Sequence, residues 1–221
     1  MKFSDVIYIL RGPMYLIFGL VMLAFYLLMP GFSPFYTDWF VLGDMQEIAK
    51  TPHLTPLWSY IVGVILVVMG FCGRFWSASY IGTCGKANKI GVARLRTSGP
   101  YSLVRNPIYI SNFIWATGFA FITGMFFLLP FYSLFFILMY IVIIPAEEKW
   151  LSEKFGQEYT DYCKRKHRIL ITFNGFERGE YSFSQGCKNE AHVFIYHVCA
   201  LIIFTTLIIM RGGWTFGLWF K

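Results

Sequence analysis

Charge is what this chain has least of. Only 14% of its 221 residues are Asp, Glu, Lys or Arg, against 57% hydrophobic and 20% aromatic. Soluble domains carry about 25% charged residues. A water-surrounded globule is therefore excluded, and a bilayer is the solvent for much of the chain. Other absences narrow the reading further. There is no Cys-x-x-Cys, and the five cysteines (Cys72, Cys84, Cys163, Cys187, Cys199) and four histidines (His53, His167, His192, His197) show no zinc spacing. Neither a metal site nor a disulfide framework is expected. No Gly-x-Gly-x-x-Gly follows a strand, which excludes a Rossmann cofactor site and leaves Gly82, Gly85 and Gly91 as a turn-rich connection. The apolar runs lack the period-two alternation of barrel strands, so they are helices. The first run, from Pro13, is followed by Pro-Gly-Phe and not by a small-residue cleavage site; it is expected to stay as a span.

What is present is a set of long windows without charge. They cover residues 12–37, 51–73, 106–146 and 191–210. A span needs roughly 20 apolar residues, so the 41-residue window 106–146 holds two, turning near Thr123–Pro130 where Gly124 and Pro130 are breakers. The expectation is an all-α polytopic integral membrane protein of about five transmembrane helices, one pair forming a tight hairpin, in a single domain over 1–221. Downstream of the hairpin, Leu151, Phe155, Tyr159 and Tyr162 share one face of an amphipathic helix that would lie at the interface, with Gly156 a weak point in it.

Basic residues then orient the chain. The formal charge is +7, with 19 Lys+Arg in all. Segments 74–105 and 147–190 hold six and eight of them; segment 31–55 holds one. By the positive-inside rule the N-terminus and the two basic segments are cytosolic, and the 31–55 loop and C-terminus lie outside. The positive charge serves orientation and contact with anionic lipid, not nucleic acid. His192 and His197 read as interfacial or packed, Trp214, Phe216 and Trp219 as an outer aromatic belt, and the scattered methionines as packing.

Two polar clusters bracket the hairpin. The first runs Thr97-Ser98-Gly99-Pro100-Tyr101-Ser102-Leu103-Val104-Arg105-Asn106-Pro107-Ile108-Tyr109; the second is Glu147-Glu148. A tight hairpin brings its ends together, so these clusters are expected to be neighbours in a polar pocket at the membrane boundary. The residues alone also allow a plainer account: Arg105 as an anchor, Asn106-Pro107 as a helix start, and the two glutamates as first-turn acids.

The run Gly99-Pro100-Tyr101 through Arg105-Asn106-Pro107-Ile108-Tyr109, a 35-residue gap (112–146) and then Glu147-Glu148 resemble the signature of isoprenylcysteine carboxyl methyltransferases and phospholipid N-methyltransferases. Phe155-Gly156-Gln157-Glu158-Tyr159 and Tyr162 resemble that family's tail, and the likeness covers about residues 90–168. Asn106 stands where the carboxyl methyltransferases have His, Ser111 stands where Gly is usual, and Lys166-His167-Arg168 replaces Val-Pro-Arg. The span over 191–210 has no place in that pattern.

The resemblance implies transfer of a methyl group from S-adenosyl-L-methionine to a lipophilic or small membrane-accessible acceptor: a prenylcysteine carboxylate, a phospholipid amine or a thiol. It implies cofactor contacts at Leu95, Arg96, Tyr101, Asn106, Pro107, Tyr109, Glu147 and Glu148, with Arg105, Asn106 and Glu147 at the reacting centre. Carboxylates suit the cofactor's ammonium or ribose, Arg its carboxylate, and tyrosine faces its sulfonium. The acceptor would arrive from the bilayer near Tyr109 and the end of the 130–145 span, passing Ile143 and Ile144. Two other classes stay open: an NADPH-dependent membrane reductase of the sterol type, and a non-catalytic lipid-binding scaffold.

Overall fold

The computed structural model describes residues 19–21, 23–24, 55–81, 94–125, 129–172, 175–210 and 214–215. Within them the regular structure is helical, apart from a two-residue parallel pairing of β1 (Thr55–Pro56) with β2 (Trp214–Thr215). The helices are α1 (Leu57–Ile81), α2 (Pro107–Thr123), α3 (Leu129–Phe155), α4 (Gln157–Arg165) and α5 (Phe183–Met210), with one 3-10 turn at Gly99–Ser102. Among the described residues α1, α3 and α5 are long and apolar enough to cross a membrane. The all-α membrane class expected from composition holds; the five-span count extends beyond these three candidates. Most of the expected first span, the glycine loop 82–93 and the aromatic residues Phe216 and Trp219 lie outside the described residues.

Local chemistry sets the hairpin's limits. Pro107 sits at the first turn of α2, where a missing N–H costs nothing. Gly124, at φ 69, ends α2 in the left-handed conformation, its N–H turned back to Ala120 O and Phe121 O. Helix α3 passes through Pro145 and continues beyond Glu147-Glu148 to Phe155. Gly156, at φ 53, then breaks the path before α4. The expected interfacial helix is thus two pieces, because a left-handed residue cannot continue a right-handed helix.

Backbone proximity holds α1 to α2. A Cβ placed on Gly63 would lie 2.6 Å from Ile122 N and 2.7 Å from Gly118 O. Where lipid offers no hydrophobic driving force, small residues let helices approach and gain dispersion contacts. Ser59 reinforces this seam by donating to Phe121 O at 2.5 Å. Helix α5 closes the other side, burying Phe204 and Ile208 with Val67, Phe119, Ile122 and Met125.

Two helices overrun the charge-free windows. Helix α1 runs seven residues past Arg74, and α5 begins eight residues before 191. The reason is pairing: Arg74 Nε donates to Glu190 Oε2 at 2.5 Å, so neither charge forces a helix to stop.

Candidate functional site

The site lies at the end of the α2–α3 hairpin away from Gly124. The segment leading into α2 is tied to the segment following α4. Arg105 N donates to His167 O at 2.9 Å, Thr172 N donates to Leu103 O at 2.9 Å, and Asn106 Nδ2 donates to Arg168 O at 3.0 Å. The Tyr162 hydroxyl of α4 donates to Tyr101 O at 2.7 Å. Four cross-links therefore fix the 101–106 turn against residues 162–172. The polar motif is a built structure and not a loose connection.

Glu148 is the carboxylate that ties the site together. Glu148 binds two guanidinium groups: Arg105 Nη1 at 3.2 Å and Arg168 in a two-pronged contact at 2.5 and 3.1 Å. That contact raises the Arg168 pKa above its ordinary value. The Tyr101 phenol is pushed well above its ordinary value by burial first, then by Tyr162, with smaller contributions from the Glu147 and Glu190 charges and Arg74 opposing. Tyr101 thus stays a neutral hydrogen-bond donor at every physiological pH. Tyr159 is likewise raised, by burial and then Glu148.

Beside the Arg105–Glu148–Arg168 contact is an open groove of about 410 Å³, lined by Arg105, Cys163, Lys166, His167, Arg168 and two aliphatic residues. Two buried guanidinium nitrogens, Arg96 Nε and Arg105 Nε, have no hydrogen-bond partner among the described residues. A buried donor left unmet costs free energy. Orphaned nitrogens of this kind suit an added oxyanion. Leu95 and Arg96 are half-buried, and Arg96 Nη1 lies 3.9 Å from an exposed Glu180. Tyr109 is buried on the membrane side, its ring 4.8 Å from that of Tyr140, whose hydroxyl donates to Tyr109 O at 2.9 Å. Ile143 and Ile144 are fully buried against Tyr109, so they form the wall behind it and not an open entrance.

Of the residues named from sequence, Tyr101, Arg105, Asn106, Pro107, Tyr109, Glu147 and Glu148 gather around the hairpin's base. A second polar cluster was not foreseen. Arg74 of α1 donates through Nε to Glu190 of α5 and through Nη1 to Asn112 Oδ1 of α2, each at 2.5 Å. Glu190 and Asn112 are buried. The sequence offered one sign of it: Arg74 closes one apolar run and Glu190 precedes another. Among the described residues no group of three His, Cys, Asp or Glu is placed to hold a metal ion.

Comparison with known proteins places the chain in context. The phospholipid methyltransferase family profile matches residues 58–158, from the start of α1 to the start of α4. The nickel-cobalt-cadmium resistance protein NccN of Alcaligenes xylosoxydans xylosoxydans is 38% identical over 104 residues, covering 47% of this chain and 46% of that protein. The cobalt-zinc-cadmium resistance protein CzcN of Cupriavidus metallidurans is 35% identical over 104 residues, 47% of this chain and 45% of that protein. The matched stretch thus spans less than half the length of these two relatives. A probable protein-S-isoprenylcysteine O-methyltransferase of Oryza sativa subsp. indica is 29% identical over 143 residues, 59% of this chain and 71% of that protein. No solved structure matches the chain. The family profile and the rice relative are likenesses to methyltransferases, and α5 lies outside the residues that the family profile matches.

Proposed function

We propose that this chain, carrying the phospholipid methyltransferase pattern over residues 58–158, transfers a methyl group from S-adenosyl-L-methionine to a lipophilic or small membrane-accessible acceptor at the cytosolic face. The observation that carries the reading is the convergence of Tyr101, Arg105, Glu147 and Glu148 from both ends of the hairpin, beside a groove lined by Arg105, whose Nε has no hydrogen-bond partner among the described residues. The donor set fits the cofactor. Arg96 and Arg105 would take its carboxylate, and Glu147 its ammonium or ribose hydroxyls. Glu148, with both oxygens already engaged, would hold Arg105 and Arg168 as a fixed wall.

When bound, S-adenosyl-L-methionine supplies a methyl carbon on a sulfonium, which leaves as a neutral thioether as an acceptor lone pair attacks in line. The chain's own task is then alignment and exclusion of water. The buried Tyr101 phenol and Tyr109 ring would wall the reacting position, and the start of α2 at Asn106-Pro107 fixes their relative placement. A thiolate, carboxylate or free amine needs no general base, and none is assigned.

Calorimetry on the purified chain with S-adenosylhomocysteine tests the reading. Wild type should bind it, and Glu147→Ala should lose that binding while still inserting into membranes. Unchanged affinity in Glu147→Ala removes Glu147 from the site. Binding of NADPH in place of the adenosyl ligand would turn the assignment to a reductase.

A further inference from the structure

Periodicity assigns the membrane interface to the apolar face around Tyr159 and Tyr162, but α4 spends that face inside the protein. Both tyrosines are buried, and the Tyr162 hydroxyl donates to Tyr101 O. What α4 turns outward is polar: Gln157, Glu158, Thr160, Asp161, Lys164 and Arg165 are exposed. The open apolar surface lies just beyond it. Ile169, Leu170 and Ile171 are 47%, 71% and 48% exposed, in a stretch that belongs to no helix. Ile169 and Leu170 edge the groove beside Arg105, whereas Ile171 stands outside its lining.

Backbone ties set the depth of this triplet. Arg105 N donates to His167 O, Asn106 Nδ2 to Arg168 O and Thr172 N to Leu103 O, so residues 167–172 run beside 103–106, which lead into α2. Arg168 also grips Glu148, where α3 leaves its charge-free run. Both arms of the hairpin therefore hold the triplet at the membrane boundary. Aromatic rings mark the same level. Glu177 N donates to Ser102 Oγ, and the adjoining Phe176 lies 6.2 Å from Trp76 of α1, both rings partly exposed. Tryptophan favours the headgroup layer. Aliphatic side chains exposed there gain by entering the edge of the acyl layer.

Charge identifies the lipid. Residues 164–171 hold four basic side chains, Lys164, Arg165, Lys166 and Arg168, and no acidic one. Even with Asp161 and Glu148, which pair with Lys164 and Arg168, the formal charge of this patch stays positive. We infer that residues 164–171 dock on an anionic lipid leaflet at the site's side of the membrane. Ile169, Leu170 and Ile171 enter the acyl boundary, and Lys164, Arg165 and Lys166 meet lipid phosphates. The lipid here is the surface on which the site rests and not a methyl acceptor, so the inference holds whatever reaction the chain performs. The stretch lies beyond the family-matched residues, which end at 158.

The test reconstitutes the full chain in nanodiscs of equal parts phosphatidylcholine and phosphatidylglycerol. Photoreactive benzoylphenylalanine is introduced in place of Leu170, of Ile171 or, on the outer face of α4, of Thr160. After illumination, mass spectrometry should find lipid adducts at positions 170 and 171 and far fewer at 160. Position 171 keeps the test independent of any disturbance to the groove. Phosphatidylglycerol adducts should exceed phosphatidylcholine adducts about fivefold, the size of one basic side chain's attraction to an anionic surface. In the background Lys164→Gln/Arg165→Gln/Lys166→Gln that ratio should fall to near unity while lipid adducts persist. Lipid adducts as frequent at 160 as at 170 and 171, or missing from both of the latter, overturn the inference. So does a ratio near unity without the glutamine substitutions. Cross-linked pairs of chains in place of lipid adducts also overturn it, and make the triplet a contact between copies.

Discussion

Arg105 and Glu148 stand at opposite ends of the α2–α3 hairpin, and their side chains meet at 3.2 Å. Both are mostly withdrawn from solvent, and Glu148 also holds Arg168. One carboxylate therefore joins three segments: the turn before α2, the end of α3 and the stretch after α4.

That junction makes Glu148 a structural hub. Glu148→Ala should lower stability by about 1–3 kcal/mol, because it removes the carboxylate from the largely buried Arg105 guanidinium and leaves it the Cys163 thiol, a weak acceptor at 2.6 Å. Arg168→Ala should cost at most about 1 kcal/mol, since that side chain is half exposed. Thermal unfolding of detergent-purified variants measures both. Equal losses for the two would show that the buried contact is not the one that matters.

The α1–α2 seam has no room for a side chain. Gly63→Ala should destabilise by about 1–3 kcal/mol through overpacking against the backbone of Ile122 and Gly118. Unfolding in graded denaturing detergent reads this out. An unchanged midpoint would mean the helices sit farther apart than described.

Tyr101 should not ionise with the other tyrosines. Its pKa is raised, so its contribution to stability is intact below the ordinary tyrosine value and is lost only as pH climbs through the folded-state value. In alkaline difference absorbance at about pH 11, one unit above the free phenol, Tyr101→Phe should match wild type in phenolate signal. A missing phenolate in the variant would place Tyr101 in water.

Orientation is open to a direct measurement. A reporter fused after residue 45 should read outside and one after residue 90 cytosolic, as the basic residues of segment 74–105 dictate. The reverse pattern would carry the site away from the cytosolic pool of adenosyl cofactor.

The sequence by itself determined the solvent, the helical class, the hairpin with its turn at Gly124, and the meeting of the 101–109 motif with the Glu147-Glu148 pair. These are legible because each depends on local quantities: the length of an apolar run, the lack of charge within it, a glycine or proline at its edge. Only the tertiary structure decided which way each side chain faces. Glu148 turns toward two arginines because of the rotation of α3 about its own axis, which packing fixes and no run length encodes. The same holds for Arg74 and Glu190, 116 residues apart. A charge that finds its opposite within the apolar layer no longer marks the end of a helix. Windows drawn from single charges therefore stopped α1 too early, started α5 too late, and passed over the cluster those two residues make.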